Sequence, residues 1–271
     1  LSDAFTTPMY YMGLVDENNH VNFYDGNVRV VDPEGNEFVK YAPDQYLDVI
    51  AEHVEPWTYL KFPYLKDVGW KGFETGMESG VYQATPLSRL NAADGMATPK
   101  AQEAYEEFYE TLGGKPVHGT LATHWARLIE LLYAAERLVE LATDPQITDP
   151  KVRVVPTEVP DEGVGIVEAP RGTLTHHYIT DENGIVEKCN LVVGTTNNYA
   201  PMSISIKKAA NALIHDGEVS EGILNKVEMA FRSYDPCLGC ATHTLPGQTP
   251  LEVRIRDAEG EVVEVLQQNM E

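Results

Sequence analysis

Two closely spaced cysteines near the carboxy-terminal end of the chain are the residues best suited to chemistry. Cys237 and Cys240 lie three residues apart, Asp235 precedes them, and His243 follows three residues after the second cysteine. Two thiolates at this spacing can close on one metal ion, and a nearby carboxylate and imidazole can tune it. The segment therefore indicates either a metal site or ordinary structural packing.

The cysteine pair alone leaves its role open. It could supply half of a structural zinc site, which needs four ligands, and Cys189 on a predicted strand could be a third. A thioredoxin-like redox pair is disfavoured, because that motif opens a helix after a strand and here a predicted helix precedes the pair. Three cysteines in 271 residues are too few for a disulfide framework.

Arg171 is the second residue that could do chemistry. It stands between Pro170 and Gly172, where a predicted strand passes into a loop. A guanidinium pushed into a pocket there needs an anionic partner, and Asp235 is a candidate. An ordinary structural ion pair is the alternative.

Helices and strands must position these residues. The sequence pattern predicts an α+β, helix-rich fold of long packed helices with small peripheral antiparallel sheets. In the strongest predicted helix, His118–Thr143, eight apolar residues share one broad face: Leu121, Trp125, Leu128, Leu131, Leu132, Ala135, Leu138 and Val139. Further helices are predicted at Asp44–Val54, from Thr98 to Gly113, at Ile204–Asp216 and at Ser220–Arg232. Hairpins or meanders are predicted at His20–Tyr41, Gly163–Gly194 and Leu251–Leu266, an ordered aromatic loop at Trp57–Tyr82, and a connector at Asp144–Glu162.

Composition excludes several classes of function. The formal net charge is −22, from 42 acidic and 20 basic residues. Such a surface repels nucleic-acid phosphates and anionic lipid. No apolar run approaches the ~20 residues that span a bilayer. The first residues carry no secretion signal, so we expect a cytoplasmic protein.

Taken together, the motifs resemble the large subunit of nickel–iron hydrogenases. The segment from Asp235 to His243 resembles the carboxy-terminal signature of that family. The residues of the motifs are most similar to those of the cytoplasmic branches coupled to heterodisulfide reductase, deazaflavin or nicotinamide cofactors. The supporting segments occur in the family's order: Pro86–Asn91, His124–Glu130, Glu168–His176 and Leu191–Asn198. The resemblance implies reversible heterolytic cleavage of dihydrogen.

The same resemblance implies a role for each matching residue. Cys237 would be a terminal nickel thiolate, and Cys240 would bridge nickel and iron. Arg171, held by Asp235, would overhang the open coordination position, and Pro170 would help shape that pocket. Thr195 and the Gly194 backbone would hydrogen-bond a cyanide on iron. His243 and the Leu191 carbonyl would bind magnesium. The implied cofactor is a nickel–iron centre with cyanide and carbonyl ligands.

The chain departs from the family pattern in two ways. It lacks the region that supplies the other two cysteines, so we expect that either the chain is a fragment or the missing amino-terminal half of the large subunit comes from another polypeptide. Residues 1–243 would form the carboxy-terminal portion of the large-subunit domain, and residues 244–271 an extension that a maturation endopeptidase removes. Other implied partners are a small subunit with iron–sulfur clusters and electron-acceptor subunits.

Two other interpretations stay open. Respiratory complex I contains a related quinone-site subunit without the metal cysteines, and this chain could be a scaffold of that kind. Retention of Cys237 and Cys240 beside Arg171 argues against that interpretation. A structural zinc site in an interaction module is the third possibility.

Overall fold

The computed structural model describes residues 3–215, 217, 219–242 and 252–267. Within these residues the fold combines seven α-helices with small sheets, which confirms the predicted class. The helices are α1 (Tyr46–Val49), α2 (Pro86–Ala92), α3 (Pro99–Leu112), α4 (Thr123–Thr143), α5 (Tyr199–Leu213), α6 (Glu221–Arg232) and α7 (Leu238–Thr242).

The strands form four sheets among the described residues. They are β1 (Tyr10–Val15), β2 (His20–Val21), β3 (Asn27–Val31), β4 (Glu37–Tyr41), β5 (Ile50–Val54), β6 (Lys61–Leu65), β7 (Tyr82–Gln83), β8 (Gly95–Met96), β9 (Glu162–Ala169), β10 (Gly172–Thr180), β11 (Val186–Val192), β12 (Glu252–Arg256) and β13 (Val262–Gln267). The largest sheet has the order β4-β3-β1-β2-β8, and β7 pairs with β1 in parallel. The second sheet, β11-β10-β9, is antiparallel. β5 pairs with β6, and β12 pairs with β13.

Helix α2 lies at the centre of the molecule, and all seven of its residues are buried. Thr85 caps it through a hydrogen bond from the Ser88 N–H, and Pro86 occupies its first turn, where no backbone donor is needed. α2 packs on β1 and α4. The hydrophobic core that joins α2, α3 and α4 contains Leu87, Phe108 and Ile129. α2 therefore holds its side chains rigidly between the sheet and the long helix.

The sequence predicts where α4 ends, but it places the start at His118, five residues before the helix begins, and it predicts only part of the packing. The helix begins at Thr123, after a 3-10 turn at Thr120–Ala122, and ends at Thr143 as predicted. Its buried residues are Thr123, Ala126, Ile129, Glu130 and Tyr133. Leu128, Leu131, Leu138 and Val139, which share the predicted apolar face, are instead exposed. The described chain covers only one side of this helix.

Two other local predictions need correction. The segment Asp44–Val54 is not one helix, because α1 covers only Tyr46–Val49 and Ile50–Val54 forms strand β5. β5 pairs with β6, which lies inside the predicted aromatic loop, and this pairing outweighs the helical spacing. Thr98 stands at the N-cap of α3, but its hydroxyl donates to Glu136 of α4. The same carboxylate accepts the Lys100 and Ala101 N–H groups, so the cap comes from the neighbouring helix.

The hairpin predictions around the candidate site are confirmed. β9, β10 and β11 fall within Gly163–Gly194, apart from Glu162 at the start of β9. α6 matches its prediction to one residue, whereas α5 begins five residues before the predicted Ile204. The tail hairpin β12–β13 also matches its prediction. These elements bring three loops together: the β9–β10 turn, the segment between β11 and α5, and the segment between α6 and α7.

Candidate metal centre

The cysteine pair lies at the start of α7, directly after the turn that ends α6. Asp235 in that turn has φ 50°, in the left-handed region that aspartate tolerates better than most residues. The sulfur atoms of Cys237 and Cys240 meet as a disulfide, with Cα atoms 5.4 Å apart. The chain thus directs both sulfurs to one point. The small number of cysteines excludes a framework of several disulfides, but it does not exclude this single bond.

Arg171 and Asp235 are in contact, as the sequence suggests. The Arg171 Nε–H donates to the Asp235 carbonyl oxygen at 2.7 Å, and Nη2 lies 3.2 Å from Oδ2 of the same residue. The two side chains are 36% and 48% exposed, so this is a solvent-facing pair. Two contacts to one residue fix the direction of the guanidinium, while water keeps the energy of the pair small.

The β9–β10 turn approaches its neighbours so closely that only glycine fits. Gly172 has φ +148°, and a Cβ there would collide with the Ala84 carbonyl oxygen and stand 2.6 Å from that of Gly194. A Cβ on Gly194 would lie 2.9 Å from the Gly172 oxygen. These backbone contacts place the Arg171 loop against the Gly194–Thr195 segment.

Asn198 joins these segments through four backbone groups and is 1% exposed. Its Nδ2 amide donates to the carbonyls of Ala84, Arg171 and Gly194 at 3.0, 2.9 and 3.1 Å, and its Oδ1 accepts the Ala84 N–H at 2.9 Å. Sequence reasoning assigns no role to Asn198. The only signal is its place in a polar run before a helix, where asparagine binds backbone groups readily.

Thr195 links this frame to the cysteines. Its Oγ1 accepts the Cys237 N–H at 3.2 Å, and the residue is 3% exposed. The Thr195, Arg171 and Asp235–Cys237 segments are therefore brought together. His243, the other expected residue of this segment, lies outside the described residues.

Leu191 and Pro170 lie beside two different cavities. Leu191, on β11, lines a cavity of about 310 Å³ whose polar walls include Glu52, Asn190 and Thr196 and which Ala241 of α7 also lines. Pro170 lines a cavity of about 250 Å³ together with α4. The predicted magnesium position and the predicted arginine pocket thus lie against separate spaces.

Cys189 does not join the cysteine pair. It is exposed and unbonded on β11. Within the described ranges, no group of three or more histidine, cysteine, aspartate or glutamate side chains is close enough to hold a metal ion. The described chain therefore supplies two sulfur donors at one point and does not complete a four-ligand zinc site with Cys189.

A buried charge network supports the Arg171 loop from below, and sequence reasoning does not assign it to the site. Arg89 of α2 donates to both Glu130 carboxylate oxygens at 2.5 and 2.7 Å and to Glu168 at 2.8 Å. Its Nη1 and Nη2 also donate to the carbonyls of Ala169 and Pro170 at 3.0 and 3.4 Å. One cation therefore fixes the two residues that precede Arg171.

Burial and charge oppose each other in this network. Burial alone would lower the pKa of Arg89, but Glu130 and Glu168 outweigh it and the pKa is raised. Burial raises the pKa of Glu130, although Arg89 opposes the shift. The Glu168 carboxylate also accepts the Leu14 N–H at 2.7 Å and the Thr173 hydroxyl at 3.0 Å. These contacts compensate the two buried anions.

Comparison with known proteins identifies the family. The model of the nickel-dependent hydrogenase family matches residues 12–243. The chain therefore belongs to the nickel-dependent hydrogenase family, and the resemblance inferred from its motifs is confirmed.

Two curated relatives are similar over nearly the whole chain. The iron-sulfur subunit of an F420-non-reducing hydrogenase from Archaeoglobus profundus is 51% identical over 98% of this chain and 54% of its own length. The beta subunit of the NAD-reducing hydrogenase HoxS from Cupriavidus necator is 42% identical over 97% of this chain and 53% of its own length. The chain thus spans about half the length of these relatives.

A solved structure shows the same fold. The crystal structure of an NAD+-reducing [NiFe]-hydrogenase in the H2-reduced state matches with a TM-score of 0.82 and 37% identity, over 89% of this chain and 52% of that chain. No helix within the described residues has the length and hydropathy to cross a membrane.

Proposed function

We propose that this chain is the carboxy-terminal portion of a nickel–iron hydrogenase large subunit that cleaves dihydrogen reversibly and heterolytically. One observation carries the proposal beyond family membership. The Arg171 loop, the Gly194–Thr195 segment and the Asp235–Cys237 segment converge through Asn198, the Arg171–Asp235 pair and the Thr195–Cys237 hydrogen bond.

The donor chemistry fits a nickel–iron centre. Cys237 and Cys240 offer two soft sulfur donors at one point once they are reduced to thiolates, and thiolates suit redox-active transition metals. Cys237 would hold nickel, and Cys240 would hold both nickel and iron. The further donors come from polypeptide outside this chain. When bound, the centre, with its cyanide and carbonyl ligands, supplies the redox chemistry that accepts the electrons of dihydrogen.

Thr195 and Gly194 would orient the ligands of iron. Because the Thr195 Oγ1 accepts the Cys237 N–H, its own hydroxyl proton is left to donate to an anionic ligand such as cyanide. Gly194 lies beside it on the same backbone. The Leu191 carbonyl and His243 would hold magnesium near the cavity that Leu191 and Ala241 line.

Arg171 would place a fixed positive charge at the side where substrate enters. The guanidinium would polarise bound dihydrogen, and Asp235 would hold its orientation. Pro170 shapes the wall behind it. The Arg89 network fixes the carbonyls of Ala169 and Pro170, so it acts as a positioning group for the arginine loop.

The assembly would follow that of other hydrogenase subunits. A small subunit with iron–sulfur clusters would carry electrons to acceptor subunits in the cytoplasm. A maturation endopeptidase would remove residues 244–271 after nickel loading. Mass spectrometry of nickel-loaded protein checks this step, and an intact tail would contradict it.

Hydrogen-dependent dye reduction tests the proposal directly. This chain is assembled with a complementary large-subunit segment and a small subunit. Arg171→Met should then lower kcat by about 100-fold or more, since it removes one preorganised charge, with nickel and iron content unchanged. Arg137→Met removes an exposed arginine of α4 and serves as the control. Equal activity of the Arg171 variant, or bound zinc in place of nickel, would overturn the proposal.

A further inference from the structure

One side of α4 presents large apolar side chains that no described residue covers. Leu128, Leu131 and Leu138 are 63%, 64% and 70% exposed. Their spacing of three and seven residues puts them on the same side of the helix, and we name them the leucine face. Contiguous apolar surface of this kind marks a contact with another polypeptide.

The leucine face continues into the cavity behind Pro170. The apolar walls of this cavity of about 250 Å³ include Phe23, Leu131, Ala134 and Pro170. Leu131 belongs to both features, and Pro170 immediately precedes Arg171. The apolar surface therefore extends from the middle of α4 to the edge of the candidate metal centre.

Arg127 adds a positive charge to the same cavity. Its Nη2 donates to the Ser233 carbonyl at 2.8 Å and its Nη1 contacts His124 Nδ1 at 3.2 Å. Its Nε is buried without a hydrogen-bond partner, and it forms no ion pair with any described residue. Burial lowers the pKa of Arg127, and the negative charges of Asp235 and Glu130 only partly oppose the shift. A half-buried cation in this position fits an anionic partner.

We propose that the leucine face and the adjoining cavity dock the part of the large subunit that this chain does not span. An apolar segment of that part covers Leu128, Leu131 and Leu138 and inserts a side chain beside Pro170. A carboxylate from it pairs with Arg127. This inference rests on the proposed function and names the partner that completes it.

Two observations select this occupant. The relatives that match nearly all of this chain are about twice its length, so a segment of comparable size remains to be packed. The cysteine pair also needs further donors, and the cavity wall reaches Pro170, which immediately precedes Arg171. Arg171 contacts Asp235, two residues before Cys237, so polypeptide that covers the leucine face lies next to the segment that carries the sulfurs.

Co-expression tests the proposal. This chain is co-expressed with the residues of the Archaeoglobus profundus relative that lie outside the region of similarity, and the affinity between the two is measured. Leu131→Glu and Arg127→Met should each weaken binding at least ten-fold. Leu47→Glu changes a 50% exposed leucine on α1 and should leave affinity within two-fold. Unchanged affinity in the Leu131 and Arg127 variants would overturn the inference.

Cross-linking tests the same surface without a destabilising change. A photoreactive residue in place of Leu138 should cross-link to the complementary segment. Cross-linking to a second copy of this chain, or only to an added small subunit, would contradict the assigned occupant. Both measurements need no metal. If the two segments bind but the assembly never incorporates nickel, the proposed function alone is refuted. If nickel is incorporated but the Leu131 and Arg127 variants bind the complementary segment as tightly as the wild type, the docking surface alone is refuted.

Discussion

Two arginine–carboxylate pairs meet at the β9–β10 turn, and they differ chiefly in burial. Arg89 with Glu130 and Glu168 is almost completely enclosed, and its side chain is 1% exposed. Arg171 with Asp235 lies only two residues beyond Ala169, which Arg89 holds, yet both partners face solvent. The same two chemical groups therefore serve opposite purposes: the buried set fixes the backbone, and the exposed pair presents a charge.

Removal of the buried cation should have the largest effect on stability. Arg89→Met leaves Glu130 and Glu168 as unpaired buried carboxyls, so we expect a loss of about 3 to 5 kcal/mol in the free energy of unfolding. Urea denaturation measures the loss. A variant that unfolds like the wild type would mean that the network contributes little to the fold.

The glycine of the turn that joins the two pairs should give the next largest effect. Gly172→Ala introduces a Cβ at positive φ against two carbonyl oxygens, and strain of this kind costs about 2 kcal/mol or more. Gly165→Ala on β9 is the matched control, because nothing lies within 4 Å of its Cβ position. If both variants lose the same stability, close backbone packing does not hold the arginine loop.

Lys115 provides an intermediate case, a largely buried cation with one carboxylate 3.8 Å away. Burial lowers its pKa to about 8, and Asp94 only partly opposes the shift. The unfolded chain then binds more protons above pH 8, so this lysine makes stability rise with pH until its unfolded pKa is reached. Between pH 7.5 and 9.5 the wild type should gain about 1 to 2 kcal/mol relative to Lys115→Met.

Denaturation of both proteins across this range measures the lysine effect. Comparison with Lys115→Met removes the contribution of the other titrating groups. A constant difference between the two proteins would show that the lysine is solvated and charged in the fold.

The exposed pair should show the smallest effect on stability. Arg171→Met is expected to change the free energy of unfolding by less than about 1 kcal/mol, as for other solvent-facing ion pairs. The same substitution should abolish most hydrogen-dependent activity in the assembled enzyme. Thermal and urea unfolding provide the stability value, and a loss comparable to that of Arg89→Met would erase the distinction between the two pairs.

Sequence reasoning predicts the local elements better than their surroundings. The β9–β11 hairpins and α6 follow from period and turn chemistry, which act within a few residues. The helix predicted over Ile50–Val54 is wrong because the partner strand β6 lies in a segment without clear period. The apolar pattern of α4 identifies a helix that packs, but it does not reveal which side this chain itself covers.

The candidate site shows the same division. The pairing of Arg171 with Asp235 could be inferred from a loop arginine and an isolated acid, since a partner of opposite charge is required. The role of Asn198 could not be inferred from the sequence, because its four hydrogen bonds join backbone groups that are distant along the chain. Arg89 lies in one of the family motifs, but only the fold shows that it supports the arginine loop.

Metal analysis of this chain, assembled with a complementary large-subunit segment, gives the strictest test of the two sulfur ligands. Nickel and iron are measured in the wild type, in Cys237→Ser, in Cys240→Ser and in the control Cys189→Ser. We expect about one nickel and one iron per assembly in the wild type and the control, and loss of nickel in both other variants. Nickel retained without Cys237 and Cys240, or zinc bound in its place, would contradict the assignment of these two sulfurs to a nickel–iron centre.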